Sequence, residues 1–305
     1  MEKKAIRNAY GEALKRLGEI NKNVVVLDAD LSGSTMTKLF KSAFPDRFFN
    51  MGIAEQNMMG AAAGFAIEGK IPFASTFAMF GAGRAFEIIR NSICYPKLNV
   101  KVAVTHAGIS VGEDGASHQS IEDISLMRSI PNMTVIVPCD AVEAEKAVFA
   151  AAEYDGPCYL RMARPATGII TNQDTPFKIG KANVLREGKD VCIFACGILV
   201  PEALEAAQMA EKDGISVTVV DIHTIKPIDR EIIVEMAKKH KKLISAEEHS
   251  IIGGLGSAIS EVLTDEYPAK LIRVGMKDVF GESGTVEELI NKYGLNAKAI
   301  YDIIK

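Results

Sequence analysis

Three stretches decide how this chain is read: FNMGIAEQNMMGAAAGFAIEG (49–69), STFAMFGAGRAFEIIRNS (75–92) and THAGISVGEDGASHQSIED (105–123). In each, apolar or small residues deliver polar or aromatic groups to a short turn. The first brings Glu55 and Gln56. The second brings Phe77 and Phe80, flanked by Ser75, Thr76, Gly81 and Gly83. The third brings His106, Glu113, Asp114 and His118. Acids, histidines and aromatics at loop tips of a hydrophobic scaffold read as a site for an organic ligand. The small residues beside the two phenylalanines leave space for a flat heterocycle, although both rings are also explained simply as core.

Outward from these stretches, apolar runs alternate with helical periodicity. Ile6, Ala9, Ala13, Leu14 and Leu17 recur at helical spacing within 3–20. VVVLDADLSG (24–33) is a continuous apolar run ending in acids and glycine, the pattern of a strand buried on both faces with polar groups at its carboxyl end. Further strands are expected at 47–50, 71–75, 100–105, 134–138 and 157–162, with helices at 35–44, 55–67, 79–93 and 141–153 and a glycine-rich loop at 107–121. RPATGIITNQDTPF (164–177) then breaks the period, and alternation restarts with strands at 190–196, 216–221, 242–247 and 270–274. The expected fold class is α/β: two three-layer domains with mainly parallel sheets, over 1–170 and 187–305, joined by a linker at 171–186.

Composition narrows the function. Of 305 residues, 48% are hydrophobic and 24% charged, and the net charge of −4 gives no reason to seek nucleic acid. KKHKK (238–242) reads as a solvated helix end, with His240 exposed. No run of eighteen apolar residues suggests a membrane span. The five cysteines lack pairing spacing and follow no secretory leader, so a reducing cytoplasm is expected, with the thiols filling core. No GxGxxG or GK[ST] follows the first strand, and GGLG comes only at 253–256, which argues against a dehydrogenase or P-loop enzyme.

Glu55 sits at a predicted helix start. It is either a first-turn acid favoured by the helix dipole, worth about 0.3–1 kcal/mol, or, given its apolar neighbours, a buried carboxylate in need of a donor. His106 and His118 bracket a loop that also holds Glu113 and Asp114. Their spacing matches no zinc pattern, whereas proton transfer or hydrogen bonding to a hydroxylated substrate suits such residues. His223 and His249 also lie near strand ends, with nothing to mark them as catalytic.

Taken in order, DADLSGS, FNMGIAEQNM, STFAMF and THAGISVGEDGASHQSIED resemble the pyrimidine-binding domain of transketolase, and EEHSIIGGLG (247–256) resembles the transketolase C-terminal domain. The resemblance covers the chain but only about the second half of a full-length transketolase. It implies thiamine diphosphate as cofactor, with Glu55 hydrogen-bonded to the pyrimidine ring, Phe77 and Phe80 packed on it, and Asp30 nearby. It further implies that His106, Asp114 and His118 contact sugar hydroxyls, with His106 and His118 assisting proton transfers, and that Arg7, Ser34 and Arg164 hold the sugar-phosphate end. Two positions depart from the family pattern. Arg161 is more like the related deoxyxylulose-phosphate synthase, and Gly83 replaces a third ring aromatic of some members.

The family's GDG motif with its downstream asparagine has no counterpart here, Glu113-Asp114-Gly115 being the nearest string. The resemblance therefore implies a split enzyme: Mg²⁺ ligands on a separate N-terminal subunit, none on this chain, and an α2β2 assembly acting on sugar phosphates. A 2-oxo-acid dehydrogenase β-type subunit, half of a deoxyxylulose-phosphate synthase, and a non-catalytic regulatory subunit stand as alternatives.

Overall fold

The structure, a computed structural model, describes residues 2–305. It is built on two sheets. The larger has seven strands in the order Thr224–Lys226, Thr134–Ile136, Cys158–Arg161, Lys101–Thr105, Ile71–Phe77, Val24–Asp28 and Phe48–Asn50. All its pairings are parallel except that of Thr224–Lys226 with Thr134–Ile136. The smaller has five, ordered Leu271–Met276, Lys242–Ser250, Val191–Ala195, Val217–Asp221 and Asn183–Arg186, parallel but for the last. Two α/β domains with largely parallel sheets are thus present, as the alternation implies.

The apolar run beginning at Val24 forms a strand whose five residues are all buried, because helices cover both faces of the sheet. On one face Ile6, Tyr10, Leu14 and Leu17 of helix Ile6–Ile20 meet Phe40, Ala144 and Val148. On the other, Met58, Met59 and Ala62 of helix Glu55–Ile67 meet Ile89, Ile93 and Val102, in a cluster that continues into Phe194, Val220 and Leu255 beside the second sheet. Fully burying each such side chain stabilises the fold by about 1.5–3 kcal/mol. The shared cluster makes the two units one packed body.

Several elements differ from expectation. The helix expected at 79–93 is wound widely, with π-type turns at Met79–Arg84 and Ile89–Cys94 around a short α segment. The loop after His106 contains a tight 3₁₀ turn at Ile109–Asp114, and a helix, Asp123–Ser129, follows it. Asn183–Arg186, within the stretch expected as linker, is an edge strand of the second sheet. Thr224–Lys226 leaves the second unit to extend the first sheet, and Lys3–Ala5 pairs with Ala166–Gly168. Thr224–Lys226 and Lys3–Ala5 are short and pair with segments far along the chain, so pattern alone does not reveal them. His240 is buried, not exposed: Nε2 lies 2.8 Å from Thr218 Oγ1 and Nδ1 lies 2.9 Å from the Met236 carbonyl, so the ring turns inward while the flanking lysines face water.

Candidate active site

Five adjacent strands of the larger sheet deliver the candidate residues from their carboxyl ends. Val24–Asp28 leads to Asp30 and Ser34, Phe48–Asn50 to Glu55, and Ile71–Phe77 to Phe77 and Phe80. Lys101–Thr105 leads to His106, Asp114 and His118, and Cys158–Arg161 to Arg164. Parallel strands place all these ends on one edge, where ligands of open α/β sheets bind. Arg7, at the start of the first helix, reaches the same edge, its Nη1 lying 3.5 Å from His106 Nε2.

Glu55 opens helix Glu55–Ile67 and is 1% exposed. The donor that its burial demands is Arg84, whose Nη1 donates to Glu55 Oε2 at 2.9 Å. Nothing in the sequence pattern marked Arg84, because the pairing crosses from one helix start to the end of a π-turn.

The aromatic groups form a continuous stack. Phe77 and Phe80 lie 6.1 Å apart at 18°, Phe77 lies on His106 at 3.9 Å and 25°, and His118 sets its edge against Phe80 at 5.3 Å. The open space expected beside these rings is partly closed. A Cβ on Gly81 would stand 2.8 Å from Val104 Cγ1, so this glycine admits close packing of the turn on the sheet and leaves no slot there. Phe80 itself stays half-buried and keeps part of its ring open to solvent.

His106 adopts a left-handed backbone, φ 56°, which turns its ring back over the strand end. Arg7 can only donate, so Nε2 is assigned as the lone-pair nitrogen, and Nδ1 carries the hydrogen toward Thr105 Oγ1 at 2.8 Å. Burial, with help from the Arg7 and Arg164 charges and from His118, pushes the imidazole down to about 3, so it is neutral near pH 7. His118 is half-buried, with Nδ1 3.0 Å from Ser117 Oγ.

At the basic end, Arg7 donates to the Ser34 carbonyl at 3.0 Å. Burial and the neighbouring Arg164 charge both lower its proton affinity. Two arginines brought together invite an anion. Arg164 meanwhile donates to the Val111 carbonyl and, at 2.8 Å, to Glu113 Oε2. Asp114 is exposed at the turn tip. Asp30 is also exposed, with φ 65°, and accepts from Asn50 Nδ2 at 2.8 Å. The buried Asp28 beneath it accepts from Leu31 N, Thr35 Oγ1 and Thr37 Oγ1 and so shapes the turn that carries Ser34.

Two further residues matter for positioning. Arg161 does not reach the site edge: its Nε donates to Asp123 Oδ2 at 2.8 Å and its Nη2 to the Glu248 carbonyl at 2.9 Å, both buried. Glu248, from the second sheet, accepts the Ser110 N–H at 2.6 Å and so pins the loop between His106 and His118. Burial pushes Glu248 up to about 7. Sequence reasoning did not single out Glu248, whose partner Ser110 lies 138 residues away.

A buried carboxylate beside stacked aromatic faces fits the pyrimidine end of thiamine diphosphate: it can share a proton with a ring nitrogen while the rings bear on the flat heterocycle. The acids of this edge do not form a cage for a diphosphate-bound cation. Asp28 is held by its turn, while Asp30 and Glu113 each give one oxygen to Asn50 and Arg164, and among the described residues none of them joins a converging set of three ligand groups. This chain's residues therefore fit one end of the cofactor.

Comparison with known proteins shows the family. Residues 2–168 match the family transketolase, pyrimidine binding domain, and residues 180–300 match transketolase, C-terminal domain. A Methanocaldococcus jannaschii protein provisionally named transketolase C-terminal section is 54% identical over 97% of this chain and 94% of its own length. The 6-deoxy-6-sulfo-D-fructose transketolase subunit SqwH of a Clostridium species is 41% identical over 98% and 93%. Human transketolase is 38% identical, this chain spanning 49% of its length. Among solved structures, one described as split gene transketolase, inactive beta4 tetramer, is 58% identical and superposes with a TM-score of 0.92 over 98% of this chain and 97% of that one. Transketolase from Campylobacter jejuni superposes at 0.84 with 26% identity, over 99% of this chain and 46% of its own. With family models matched in order over both of its domains, the chain belongs to the transketolase family.

Proposed function

We propose that this chain is the C-terminal subunit of a two-polypeptide transketolase, moving a two-carbon ketol group from a ketose phosphate such as xylulose 5-phosphate to an aldose phosphate. The observation that carries this is the meeting, on one strand edge, of an acid–aromatic pocket (Glu55, Phe77, Phe80) and a basic, imidazole-lined one (Arg7, His106, Arg164). Thiamine diphosphate, when bound, supplies the electron sink for breaking and forming the carbon–carbon bond. Glu55 holds a proton at the pyrimidine nitrogen, and Phe77 and Phe80 orient the ring, with Asp30 at the same edge. Neutral His106, with His118 and Asp114, hydrogen-bonds substrate hydroxyls, and the two histidines serve proton transfer. Arg7 and Arg164, with Ser34, hold the sugar phosphate, Arg164 exchanging Glu113 for the incoming anion.

Mg²⁺ and the diphosphate are assigned to an N-terminal partner subunit, and two copies of each chain make the symmetric assembly. We place the first domain at 1–170 and begin the second at its edge strand Asn183–Arg186 rather than at 187, running it to 305. The near full-length likeness to a transketolase C-terminal section and to a transketolase subunit supports the two-chain reading. Arg161, the position that resembles deoxyxylulose-phosphate synthase, pairs with buried Asp123 and does not reach the strand edge that carries the other candidate residues.

The test mixes the two purified subunits with xylulose 5-phosphate and ribose 5-phosphate. The mixture should convert them while either subunit alone is inert, and Glu55→Ala should abolish turnover. Activity of this chain alone would remove the two-subunit arrangement. Pyruvate consumption would favour the oxo-acid or deoxyxylulose-phosphate reactions, and unchanged activity in Glu55→Ala would make the pocket structural only.

A further inference from the structure

Cys139, Glu143 and Asp221 each offer a ligand atom within 4.8 Å of the other two, and all three residues are buried. They come from both units. Cys139 and Glu143 bracket the start of helix Ala141–Glu153, and Asp221 ends the strand Val217–Asp221 of the second sheet.

Local geometry aims the three inward. Asp140, between Cys139 and the helix, is fully used. Its Oδ1 accepts from Glu143 N and Thr171 Oγ1, and its Oδ2 accepts from Ile170 N and Thr171 N. Glu143 Oε2 accepts the Cys139 N–H at 2.7 Å, which holds this carboxylate against the thiol. Glu143 Oε1 and both oxygens of Asp221 are sealed from solvent with no hydrogen-bond partner among the described residues. Buried polar atoms are nearly always satisfied, because leaving one unpaired costs about 1–3 kcal/mol. A further orphan lies alongside. His223 is buried two residues past Asp221, with Nδ1 2.9 Å from Thr224 Oγ1 and Nε2 without a partner. Its ring is fixed against Phe177 at 4.2 Å, and Glu143 is close enough for its charge to act on it.

We propose that Cys139, Glu143 and Asp221 bind a zinc-class divalent transition metal, with a water as fourth ligand, and that the ion staples the two α/β units together. Thiolate and carboxylate are ligand types such ions take, whereas calcium and magnesium seek all-oxygen shells. Ligands on a tetrahedral zinc with bonds of about 2.0–2.3 Å stand roughly 3.3–3.8 Å apart, so small side-chain rotations close the cluster. On binding, the Cys139 S–H and any carboxylic O–H release their protons to solvent and the freed lone pairs bind the cation. The metal-free alternative is a proton shared between Glu143 and Asp221 with the Cys139 thiol hydrogen-bonded to them, the thiol and Asp221 being held protonated by burial and by the neighbouring carboxylates. A metal uses every group. The site stands apart from the proposed reaction and survives its failure.

The test titrates chelator-treated full chain with Co²⁺, whose thiolate complexes absorb in the near ultraviolet. Stoichiometric Co²⁺ should produce that band, Zn²⁺ should displace it, and Zn²⁺ should raise the melting temperature. Cys139→Ser should lose the band although Cys94, Cys158, Cys192 and Cys196 remain. Glu143→Gln, nearly isosteric, should keep the circular dichroism of the fold and weaken Co²⁺ binding by about tenfold or more. A missing band in the unsubstituted chain, or one that survives Cys139→Ser, overturns the proposal. So does a chain that ignores both metals yet loses a pH dependence of melting in Glu143→Gln, which would assign a shared proton instead.

Discussion

Arg84 Nη1 lies 2.9 Å from Glu55 Oε2, and the same guanidinium sits 5.0 Å from the centroid of the Phe80 ring. One half-exposed side chain thus covers both the carboxylate and the aromatic face assigned to the cofactor's pyrimidine. On the proposed reading, an incoming ring competes with it for Glu55 and for the Phe80 face.

Arg84→Ala is therefore expected to act differently in two states. In the isolated chain it strips a buried carboxylate of its donor, costing about 1–3 kcal/mol. With partner and thiamine diphosphate present, the ring takes over Glu55 and the cost shrinks. Thermal unfolding of both forms measures this, and an equal loss in each would mean that Arg84 stays on Glu55 throughout.

His106 should remain neutral well into acid. Its proton affinity is depressed from the ordinary histidine value near 6.5 to about 3, chiefly by burial. For a base held neutral by the fold, stability is fully present above the unfolded value and falls away as pH drops from about 6.5 toward 3. His106→Gln should flatten that acid limb. NMR titration of the imidazole signals should place no midpoint for His106 above pH 5, and one near 6.5 would refute the assignment.

Glu248 should titrate near neutrality, because burial raises its carboxyl to about 7. A raised carboxyl favours the folded state most below its unfolded value near 4.5, and that contribution fades as pH climbs to about 7. Glu248→Gln, a permanent stand-in for the protonated form, should remove this stretch of the pH dependence and keep the fold at pH 8. Urea unfolding at several pH values reads it directly.

Gly108 should tolerate no side chain. Its φ is 78° and ψ −172°, and a Cβ there would lie 2.3 Å from Glu248 Cδ. Gly108→Ala should cost about 1–3 kcal/mol in backbone strain and loosen the loop that carries His106 and His118. Lowered unfolding midpoints together with weakened sugar-phosphate binding would register both effects, whereas an unchanged midpoint would contradict the close approach.

Much of the architecture was legible because it is written locally. The run from Val24 to Asp28 announces a doubly covered strand by continuous hydrophobicity, and helix Ala141–Glu153 matches its expected limits. Thr224–Lys226 was not legible, since it is short and its partner belongs to the other unit. His240 misled for a related reason: four lysines surround it in sequence, while Thr218 and Met236 surround it in space.

The sequence alone determined the alternation of strands and helices, the chain order of the loops that carry the candidate residues, and the motifs that place the chain in its family. These depend on periodicity and on residues near one another in the chain. Only the tertiary structure decided that Glu55 is held by Arg84, that His106 is neutral, that Glu248 grips the loop from the second unit, and that Cys139, Glu143 and Asp221 converge. Each of these depends on burial and on charges brought close from distant positions, and desolvation and Coulomb energy are set by distance in space rather than by spacing along the chain.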